Sequence, residues 1–499
     1  MRVLFCQPVS GLLEPSVHIR MCYVEPLGIE YLAAAAEAAG HHASIEYPVI
    51  ADSEIVEAVI REKPDVVAIS IYTYAFREAV RWARALKDAF PEAILIAGGH
   101  HPTAEPEAVL HAGFDYVVIG EGEQSLLELL STIQSGRREC LPNGVATMVE
   151  GRMTTGAERQ RIRPLEAVPW PRRLPHILAD AKNFQVIDPP PSRQVNLAQV
   201  SYSRGCPNNC AFCSSAQMWR RKVVWRRPSD VLDEVEHLVA THGTNVIYFP
   251  DLELNASAKR LHELCDEFQR RGNPIRWWGL FALRGLDREL LAHLYEAGCV
   301  KLSLGVEAIG DDALARLCAG KAPCWEDILT MFQTAHNIGL ITRVFLMIGN
   351  SEDTPEYYEE LCAELPRLAA DDMRVSFTTP FPGTDLYRRA KRDGLLAVKD
   401  LTQYTTEKPI LHNPSMTPAQ MFEWRQRIID VFYSNDLYAE RTRERVWKRP
   451  ALRESYLQYY DRLLNTGTLG QATIERLCSL VAAISAKKKG TTCQVVSRV

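Results

Sequence analysis

Three cysteines stand within eight residues of one another, in a segment that reads SYSRGCPNNCAFC. Cys206, Cys210 and Cys213 follow the apolar run NLAQV, which has the length and composition of a buried strand. Iron-sulfur clusters are normally held by four thiolates, so three on one loop leave one iron of a 4Fe-4S cluster open to another ligand. The spacing therefore predicts a cluster with an open iron as the metal site of this chain.

A structural zinc site and ordinary core packing are the competing interpretations of these three cysteines. Structural zinc takes four protein ligands, and no further CxxC or HxxxH pair lies nearby to complete such a site. Cysteines used for packing are usually scattered through helical and strand patterns, as Cys299, Cys318 and Cys324 are. The compact segment after a strand therefore favours the cluster.

Length and composition narrow the class of protein. A chain of 499 residues is too long for one ordinary core, so two or three domains are expected. A net charge of -5 provides no broad basic surface, which favours a small-molecule or peptide substrate over nucleic acid. Without a secretory signal or an apolar run long enough for a membrane span, we expect a cytoplasmic protein, in which clustered cysteines indicate metal rather than disulfides.

Apolar runs alternate with helical patterns from residue 2 to about residue 135. The runs RVLFCQP, ASIEY, DVVAISIY, ILIAGG and DYVVIGE are each followed by a stretch of helical periodicity. Short strands that alternate with helices form parallel βαβ units, so residues 1–140 are predicted to form a doubly wound, Rossmann-like α/β domain. Such sheets bind ligands beyond the carboxyl ends of their strands.

The remainder of the chain divides into three segments by composition and periodicity. Residues 141–195 contain the breakers VPWPRRLP and IDPPPSR and are predicted to be a linker. Residues 196–398 contain six strand-helix units, which are too few for a closed eight-unit barrel and predict a partial (β/α)6 barrel. Residues 399–499 are dominated by helical patterns, which predict a mostly helical C-terminal region.

The predicted strand ends of the first domain carry glycines and small polar residues instead of a nucleotide-binding motif. No GxGxxG follows the first strand, and no GxxxxGK[ST] occurs in the chain. Glycines at strand ends let a ligand approach the backbone closely. The segment HHPTAEPEAVL also fits a helix start, with Thr103 and Glu105 at capping positions, and the two interpretations are compatible. The residues expected to contact a ligand are Ser70, Tyr72, Thr73, Gly98, Gly99, His100, Gly120 and Glu121.

The Cys-x3-Cys-x2-Cys spacing, with an aromatic residue before the last cysteine, resembles the radical S-adenosylmethionine superfamily. This resemblance implies that the open iron chelates S-adenosylmethionine and that an electron donor such as flavodoxin or ferredoxin triggers release of a 5'-deoxyadenosyl radical. It also implies cofactor contacts in later segments, although each residue taken alone equally fits a turn at a strand end. The residues implied to bind the cofactor are Phe212, Asp251, Glu253, Ser303, Glu307 and Arg343.

A GGHHPT turn followed by GEGE, ahead of the cysteine segment, is similar to the cobalamin-binding subgroup of this superfamily. Domains that supply a histidine to cobalt usually carry Asp-x-His-x-x-Gly after the first strand. Here that loop reads QPVSGLLEPSVHIR, and His18 lacks this context. The resemblance therefore implies cobalamin with its dimethylbenzimidazole displaced, no protein histidine on cobalt, and Tyr72 or Thr73 beneath the lower face.

The two cofactors together imply methyl transfer from methylcobalamin to an unactivated carbon of a small-molecule substrate. Cyclases, ring-contraction enzymes and rearrangement enzymes of the same subgroup remain the alternative. Methylthiotransferases match less well, because their first domain contributes three further cluster cysteines, whereas here only Cys6, Cys22 and Cys140 precede the segment. A cobalamin sensor with a structural cluster would have no need of an open iron. No motif identifies a catalytic residue or the substrate.

Overall fold

A computed structural model of the chain describes residues 1–8, 25–49, 51–136, 140–180, 195–318, 323–465, 467 and 469–486. His18 and residues 487–499 lie outside the described residues. The chain forms two compact units. The first comprises Met1–Phe184, Asn196–Ser257 and Phe377–His412, and the second comprises Gln185–Val195, Ala258–Ser376 and Asn413–Val499. Among the helices in the described ranges, none is both long enough and apolar enough to cross a bilayer.

The first unit contains a seven-stranded sheet with helices on both faces. Its strands are β1 (Arg2–Pro8), β2 (His42–Val49), β3 (Val66–Ser70), β4 (Ile94–Gly98), β5 (Tyr116–Val118), β6 (Val145–Val149) and β7 (Arg152–Thr155). Its helices are α1 (Leu27–Ala38), α2 (Asp52–Glu62), α3 (Phe76–Ala89), α4 (His100–Ala104), α5 (Pro106–His111), α6 (Glu123–Ser135) and α7 (Pro175–Asp180). The strand order is β2-β1-β3-β4-β5-β6-β7, and the first five strands are parallel.

Both faces of this sheet are covered by apolar packing. Along β1, Val3 and Phe5 belong to one buried cluster, and Leu4 and Cys6 belong to a second cluster on the opposite face. Successive side chains of a strand point to opposite faces, so a strand covered on both sides reads as a continuous apolar run. The strand order reverses between β1 and β3, and doubly wound sheets bind their ligands at such a point.

The hairpin of β6 and β7 corrects the linker prediction for residues 145–155. The two strands pair antiparallel and extend the seven-stranded sheet beyond β5. Glu150 and Gly151, which join them, have φ values of +47° and +74°. Positive φ at both central residues is the backbone of a type I′ turn, which matches the twist of a two-residue hairpin. The domain limits at residues 140, 195 and 398 stay a prediction, with residues 145–155 belonging to the first sheet.

The first unit also contains the segment around the three cysteines. Its elements are β8 (Leu197–Gln199), β9 (Ser203–Arg204), α8 (Ser215–Trp219), β10 (Val224–Trp225), α9 (Pro228–His242) and β11 (Val246–Phe249). Strands β8 and β11 pair in parallel, with Leu197 opposite Val246. Strands β9 and β10 form a separate antiparallel pair, with the cysteines and α8 between them in the chain.

The second unit continues the strand-helix alternation and ends in helices. Its elements begin with α10 (Ala258–Arg270), β12 (Arg276–Phe281), α11 (Arg288–Glu296), β13 (Cys299–Glu307), α12 (Asp311–Cys318), α13 (Trp325–Ile338), β14 (Ile341–Ile348), α14 (Pro355–Glu364) and β15 (Asp372–Phe377). After α15 (Asp385–Arg392), which belongs to the first unit, follow α16 (Pro418–Ser434), α17 (Asp436–Lys448), α18 (Arg453–Leu464) and α19 (Gln471–Ser485). Strand β13 pairs in parallel with β12 and β14.

The predicted fold class is confirmed. All six strands expected of the partial barrel are present, namely β8 and β11 to β15, and the described residues from Pro418 to Ser485 are mostly helical. Short 3-10 turns are formed by Thr73–Ala75, Leu165–Ala167, Leu365–Arg367, Leu401–Gln403 and Pro450–Leu452. The chain is therefore an α/β protein with a doubly wound N-terminal domain, a partial barrel and a helical C-terminal region.

Candidate functional site

The cysteine loop, residues 205–214, lies between β9 and α8 in the first unit. Cys206 is buried, Cys210 and Cys213 are partly exposed, and none of the three forms a disulfide. Gly205 begins the loop with φ at +111°, and a Cβ there would lie 2.1 Å from the carbonyl oxygen of Lys222. Only glycine tolerates this conformation and this contact, so the turn into the loop is set by the backbone.

Polar side chains surround the thiols. The Cys206 thiol donates to Glu253 at 3.3 Å, and the side-chain amide of Asn208 donates to the same carboxylate. The Cys213 Sγ lies 3.1 Å from the hydroxyl oxygen of Ser215. Glu253, which was predicted to bind the cofactor, is therefore beside one of the cluster cysteines and almost fully buried.

The donor set of the loop fits an iron-sulfur cluster. Within the described ranges, no group of three or more His, Cys, Asp or Glu side chains is placed to hold a single metal ion. A cluster does not require such convergence, because each thiolate binds a different iron. Three thiols on one loop of the first unit match this requirement, and their role as cluster ligands stays a prediction.

Asp251 holds the chain that leads into the loop. Its buried carboxylate accepts hydrogen bonds from the backbone N–H of Tyr202, at 3.1 Å, and of Ser203. Burial raises the pKa of Asp251 to about 6, and these hydrogen bonds oppose the rise. The side chain of Asp251 therefore positions the backbone before β9, in addition to lining the cavity described next.

A cavity of about 570 Å³ opens at the carboxyl ends of the strands in the first unit. One wall comes from the ends of β3, β4 and β5, and another comes from residues 199–205 with Met218 and Trp219. Thr73 is buried and begins a 3-10 turn, while its neighbours Tyr72 and Tyr74 line the cavity. The predicted ligand contacts found in its lining are Ser70, Tyr72, Gly98, Gly99, His100, Gly120 and Glu121.

Three aromatic rings that line this cavity stack on one another. The Tyr72 ring stacks on Tyr74 with centroids 5.7 Å apart and on His100 with centroids 5.6 Å apart. Burial raises the pKa of Tyr72 and lowers the pKa of His100, so both rings are neutral at pH 7. The stacked rings therefore offer an uncharged aromatic contact for a ligand, beside the point where the strand order reverses.

Two glycines keep the end of β4 free of side chains. Gly99 has φ at +97°, and a Cβ there would lie 3.1 Å from both the Ile71 nitrogen and the Ser70 hydroxyl. Together with Gly98, it lets a ligand reach the backbone between the ends of β3 and β4. This arrangement fits the close approach of a ligand to the backbone that the sequence predicts at these strand ends.

Glu121 lines the cavity, but its charge is already balanced. Arg161 donates to its carboxylate at 2.6 Å, and the Arg204 guanidinium lies 3.6 Å from it. Arg204 in turn pairs with Glu123 at 2.6 Å and lies over the ring of Tyr31. Arg161 was not among the predicted site residues, because it lies in the segment predicted to be a linker and no local pattern marks it.

The remaining predicted contacts occupy different environments. Phe212 is partly exposed in the cysteine loop. In the second unit, Ser303 and Glu307 belong to β13, where Ser303 is buried and Glu307 ends the strand with φ at +68°. Arg343 lies opposite Ser303 in register and donates to Asp372, so its charge is balanced near the start of β14. A cofactor role for these residues stays a prediction.

Two protein-family models match this chain, one in the N-terminal domain and one in the region that begins at the cysteine segment. The B12 binding domain family matches residues 22–130, and the radical SAM superfamily matches residues 200–365. An uncharacterized methyltransferase of Pyrococcus horikoshii is 26% identical over 415 residues, which are 82% of this chain and 87% of the relative. An anaerobic magnesium-protoporphyrin IX monomethyl ester cyclase of Rubrivivax gelatinosus is 26% identical over 457 residues, which are 88% of this chain and 79% of the relative.

A solved structure shares the fold over almost the whole chain. The radical S-adenosylmethionine methyltransferase TsrM of Kitasatospora setae, with cobalamin and a [4Fe-4S] cluster bound, superposes with a TM-score of 0.68. The alignment covers 97% of this chain and 99% of that chain at 16% sequence identity. At this identity the likeness concerns the fold alone.

Proposed function

This chain is a member of the cobalamin-binding radical S-adenosylmethionine enzymes, and we propose that it transfers a methyl group from methylcobalamin to an unactivated carbon of a small-molecule substrate. Its cofactors are a 4Fe-4S cluster, S-adenosylmethionine and cobalamin. The observation that supports the proposal most directly is the cavity of the first unit. Its walls combine the glycine-rich strand ends of the B12 binding domain with the residues that lead into the cysteine loop.

The residues of the chain have distinct tasks in this proposal. Cys206, Cys210 and Cys213 hold the cluster, and Asp251 fixes the backbone that leads to them. Gly98 admits the cofactor to the sheet edge, and the stacked rings beside it exclude water from one wall. When bound, the cluster with S-adenosylmethionine supplies hydrogen abstraction and cobalamin supplies the methyl group. The protein contributes orientation and a site that excludes water.

Reduced flavodoxin or ferredoxin is proposed as the electron donor. We also propose a cytoplasmic location, where such donors are found. The cluster must be reduced before each radical reaction, and the chain itself carries no other cysteine group with cluster spacing in its sequence. An external one-electron donor is therefore part of the proposal.

A second candidate is a cyclase or rearrangement without net methyl transfer. The similarity to the Rubrivivax gelatinosus cyclase, at 26% identity over 88% of this chain, is as strong as that to the Pyrococcus horikoshii methyltransferase. Both reactions use the same two cofactor sites, so the products must distinguish them.

The test is anaerobic turnover of reconstituted enzyme with methyl-labelled S-adenosylmethionine, reduced flavodoxin and small-molecule extract of the native host. A methyltransferase yields a labelled product together with S-adenosylhomocysteine and 5'-deoxyadenosine. A cyclase or rearrangement yields 5'-deoxyadenosine and an unlabelled product, and this outcome would overturn the methyltransferase proposal. A variant with Cys206, Cys210 and Cys213 replaced by Ala is the control, because it lacks the cluster ligands and should form no 5'-deoxyadenosine.

A further inference from the structure

The guanidinium of Arg161 connects two parts of the first unit. Towards the sheet it pairs with Glu121, with Nε 2.6 Å from Oε2 and Nη2 3.4 Å from Oε1. Towards the cysteine loop it donates to three backbone carbonyls, those of Arg204 at 3.0 Å, Trp219 at 3.2 Å and Lys222 at 2.5 Å. These five contacts use all five N–H donors of the side chain.

The three carbonyls bracket the cysteine loop. Arg204 directly precedes the loop, and Trp219 and Lys222 follow it at the end of α8 and just beyond. One side chain therefore ties both ends of the segment that holds the cluster ligands. The missing side chain of Gly205 makes room for this, since a Cβ there would lie 3.2 Å from Arg161 Nη1.

We call Arg161 and its five contacts the clamp. Its Glu121 end lies at the edge of the sheet that lines the cavity. Glu121 belongs to the turn after β5, in which Gly120 and Gly122 also line the cavity. The same turn is tied to the cysteine loop a second time, because Glu123 pairs with Arg204 at 2.6 Å. Both partners of the main pair are buried, with side-chain exposures of 6% for Arg161 and 2% for Glu121. Screening by solvent is therefore weak at this clamp.

We propose that Arg161 is a positioning residue that sets the distance between the cobalamin-binding strand ends and the cluster-binding loop. The inference rests on the proposed function, in which both cofactors act on one substrate carbon. Misplacement of reacting groups by about 1 Å costs a rate factor on the order of 100. A clamp that holds the two binding segments in register would therefore decide whether the radical and the methyl donor reach the same atom.

The chemistry of the clamp requires arginine. A lysine at position 161 could reach Glu121 as a point charge, but its ammonium has three donors and lacks the planar fork. An alanine leaves the Glu121 carboxylate and three carbonyls without these donors. Arg161→Lys should therefore retain part of the positioning, and Arg161→Ala should lose it.

The test compares cofactor-loaded wild type with Arg161→Ala, Arg161→Lys and Glu121→Gln, and uses Arg163→Ala as the matched control. Arg163 is exposed and lies two residues away, and its replacement by Ala removes the same charge. The readouts are iron and corrinoid content, and the distance distribution between cob(II)alamin and the reduced cluster by pulsed electron paramagnetic resonance. We expect near wild-type cofactor content but a broadened or shifted distance in Arg161→Ala, a smaller change in Arg161→Lys and Glu121→Gln, and none in Arg163→Ala.

Two outcomes would overturn the inference. One is an unchanged, narrow distance distribution in cofactor-loaded Arg161→Ala. The other is equal loss of both cofactors in Arg161→Ala and Arg161→Lys, which would mean that the clamp only maintains the fold. Failure of the proposed function is distinguishable from both, because it would appear in the wild type as absence of S-adenosylhomocysteine and labelled product while the distance measurement remains possible.

Discussion

Two adjacent histidines of the GGHHPT turn have different environments. His100 lines the cavity and stacks on Tyr72, whereas His101 is 1% exposed and packs against Phe76 with ring centroids 4.3 Å apart. Burial lowers the pKa of His101 to about 4, so this ring is neutral and part of the core. At the scale of single residues, only His100 of this pair can meet a ligand in the cavity.

We predict that cobalamin binds without a nitrogen ligand from His100. The ring of His100 stacks on Tyr72 with an interplanar angle of 17°, and its Nδ1 lies 3.5 Å from the hydroxyl oxygen of Ser214. The cob(II)alamin state should therefore show no axial nitrogen splitting in electron paramagnetic resonance, in wild type and in His100→Ala alike. Splitting that is present in the wild type and lost in His100→Ala would contradict both this prediction and the predicted absence of histidine on cobalt.

Glu30 makes the stability of the first unit depend on pH. Its side chain is fully buried on α1, and burial, followed by the nearby Glu25 carboxylate, raises its pKa to about 8 despite Arg173. The usual pKa of a glutamate is near 4.3, so between about pH 4.3 and pH 8 the unfolded chain releases a proton that the folded chain keeps. The free energy of unfolding should therefore fall as pH rises through this window.

The variant Glu30→Gln should remove this dependence, because the amide does not titrate. We expect the difference in urea midpoint between pH 5 and pH 8 to be smaller in Glu30→Gln than in wild type. Glu37→Gln on the same helix serves as the control, since Glu37 is exposed. An identical pH dependence in Glu30→Gln and wild type would refute the assignment.

Short turns between helices and strands position the residues of the cavity and of the cysteine loop. The parallel strands end at one edge of the sheet, and the turns after β3, β4 and β5 supply the cavity wall. The cysteine loop is positioned in the same manner, by β9 before it and α8 after it. A further contact comes from α15, whose Leu386 N–H donates to the carbonyl of Ala211 at 2.8 Å. The loop geometry is therefore set from several directions by backbone groups.

We predict that Gly205→Ala lowers the iron and sulfide content of the reconstituted protein several-fold. A methyl group at this position would meet the Lys222 carbonyl at 2.1 Å, and the backbone contact cannot give way without moving the turn before Cys206. Gly40→Ala is the matched control, because Gly40 also has positive φ, at +83°, and nothing lies within 4 Å of its Cβ position. That control should cost only about 1–2 kcal/mol of stability and keep full cluster content, and equal content in both variants would show that the Gly205 contact is unimportant.

At the scale of the whole molecule, segments distant in sequence share one unit. Residues 377–412 follow the last strand of the partial barrel, yet they belong to the same unit as the B12 binding domain and the cysteine loop. The segment predicted to be a linker likewise contributes β6, β7 and Arg161 to the first unit. The predicted S-adenosylmethionine contacts Ser303, Glu307 and Arg343 belong to the second unit.

The cluster and the fold class could be predicted from residue spacing and periodicity, and the resemblance to a family implied S-adenosylmethionine and cobalamin. Three thiols at cluster spacing are a property of eight consecutive residues, and strand-helix alternation is a property of local periodicity, so both can be read without coordinates. The glycines at strand ends were identified for the same reason, and Gly98, Gly99 and Gly120 all line the cavity.

Only the tertiary structure decided which charged groups meet. Glu121 was predicted to contact a cofactor, but it pairs with Arg161 across 40 positions, and Arg343 is paired with Asp372 across 29. The different environments of His100 and His101 also depend on how the helices and strands pack. The same is true of the hairpin after β5. Ion pairs and burial are set by which turns come together, and local periodicity carries no information about that. The clamp at Arg161 is therefore a property of the fold that the sequence pattern does not encode.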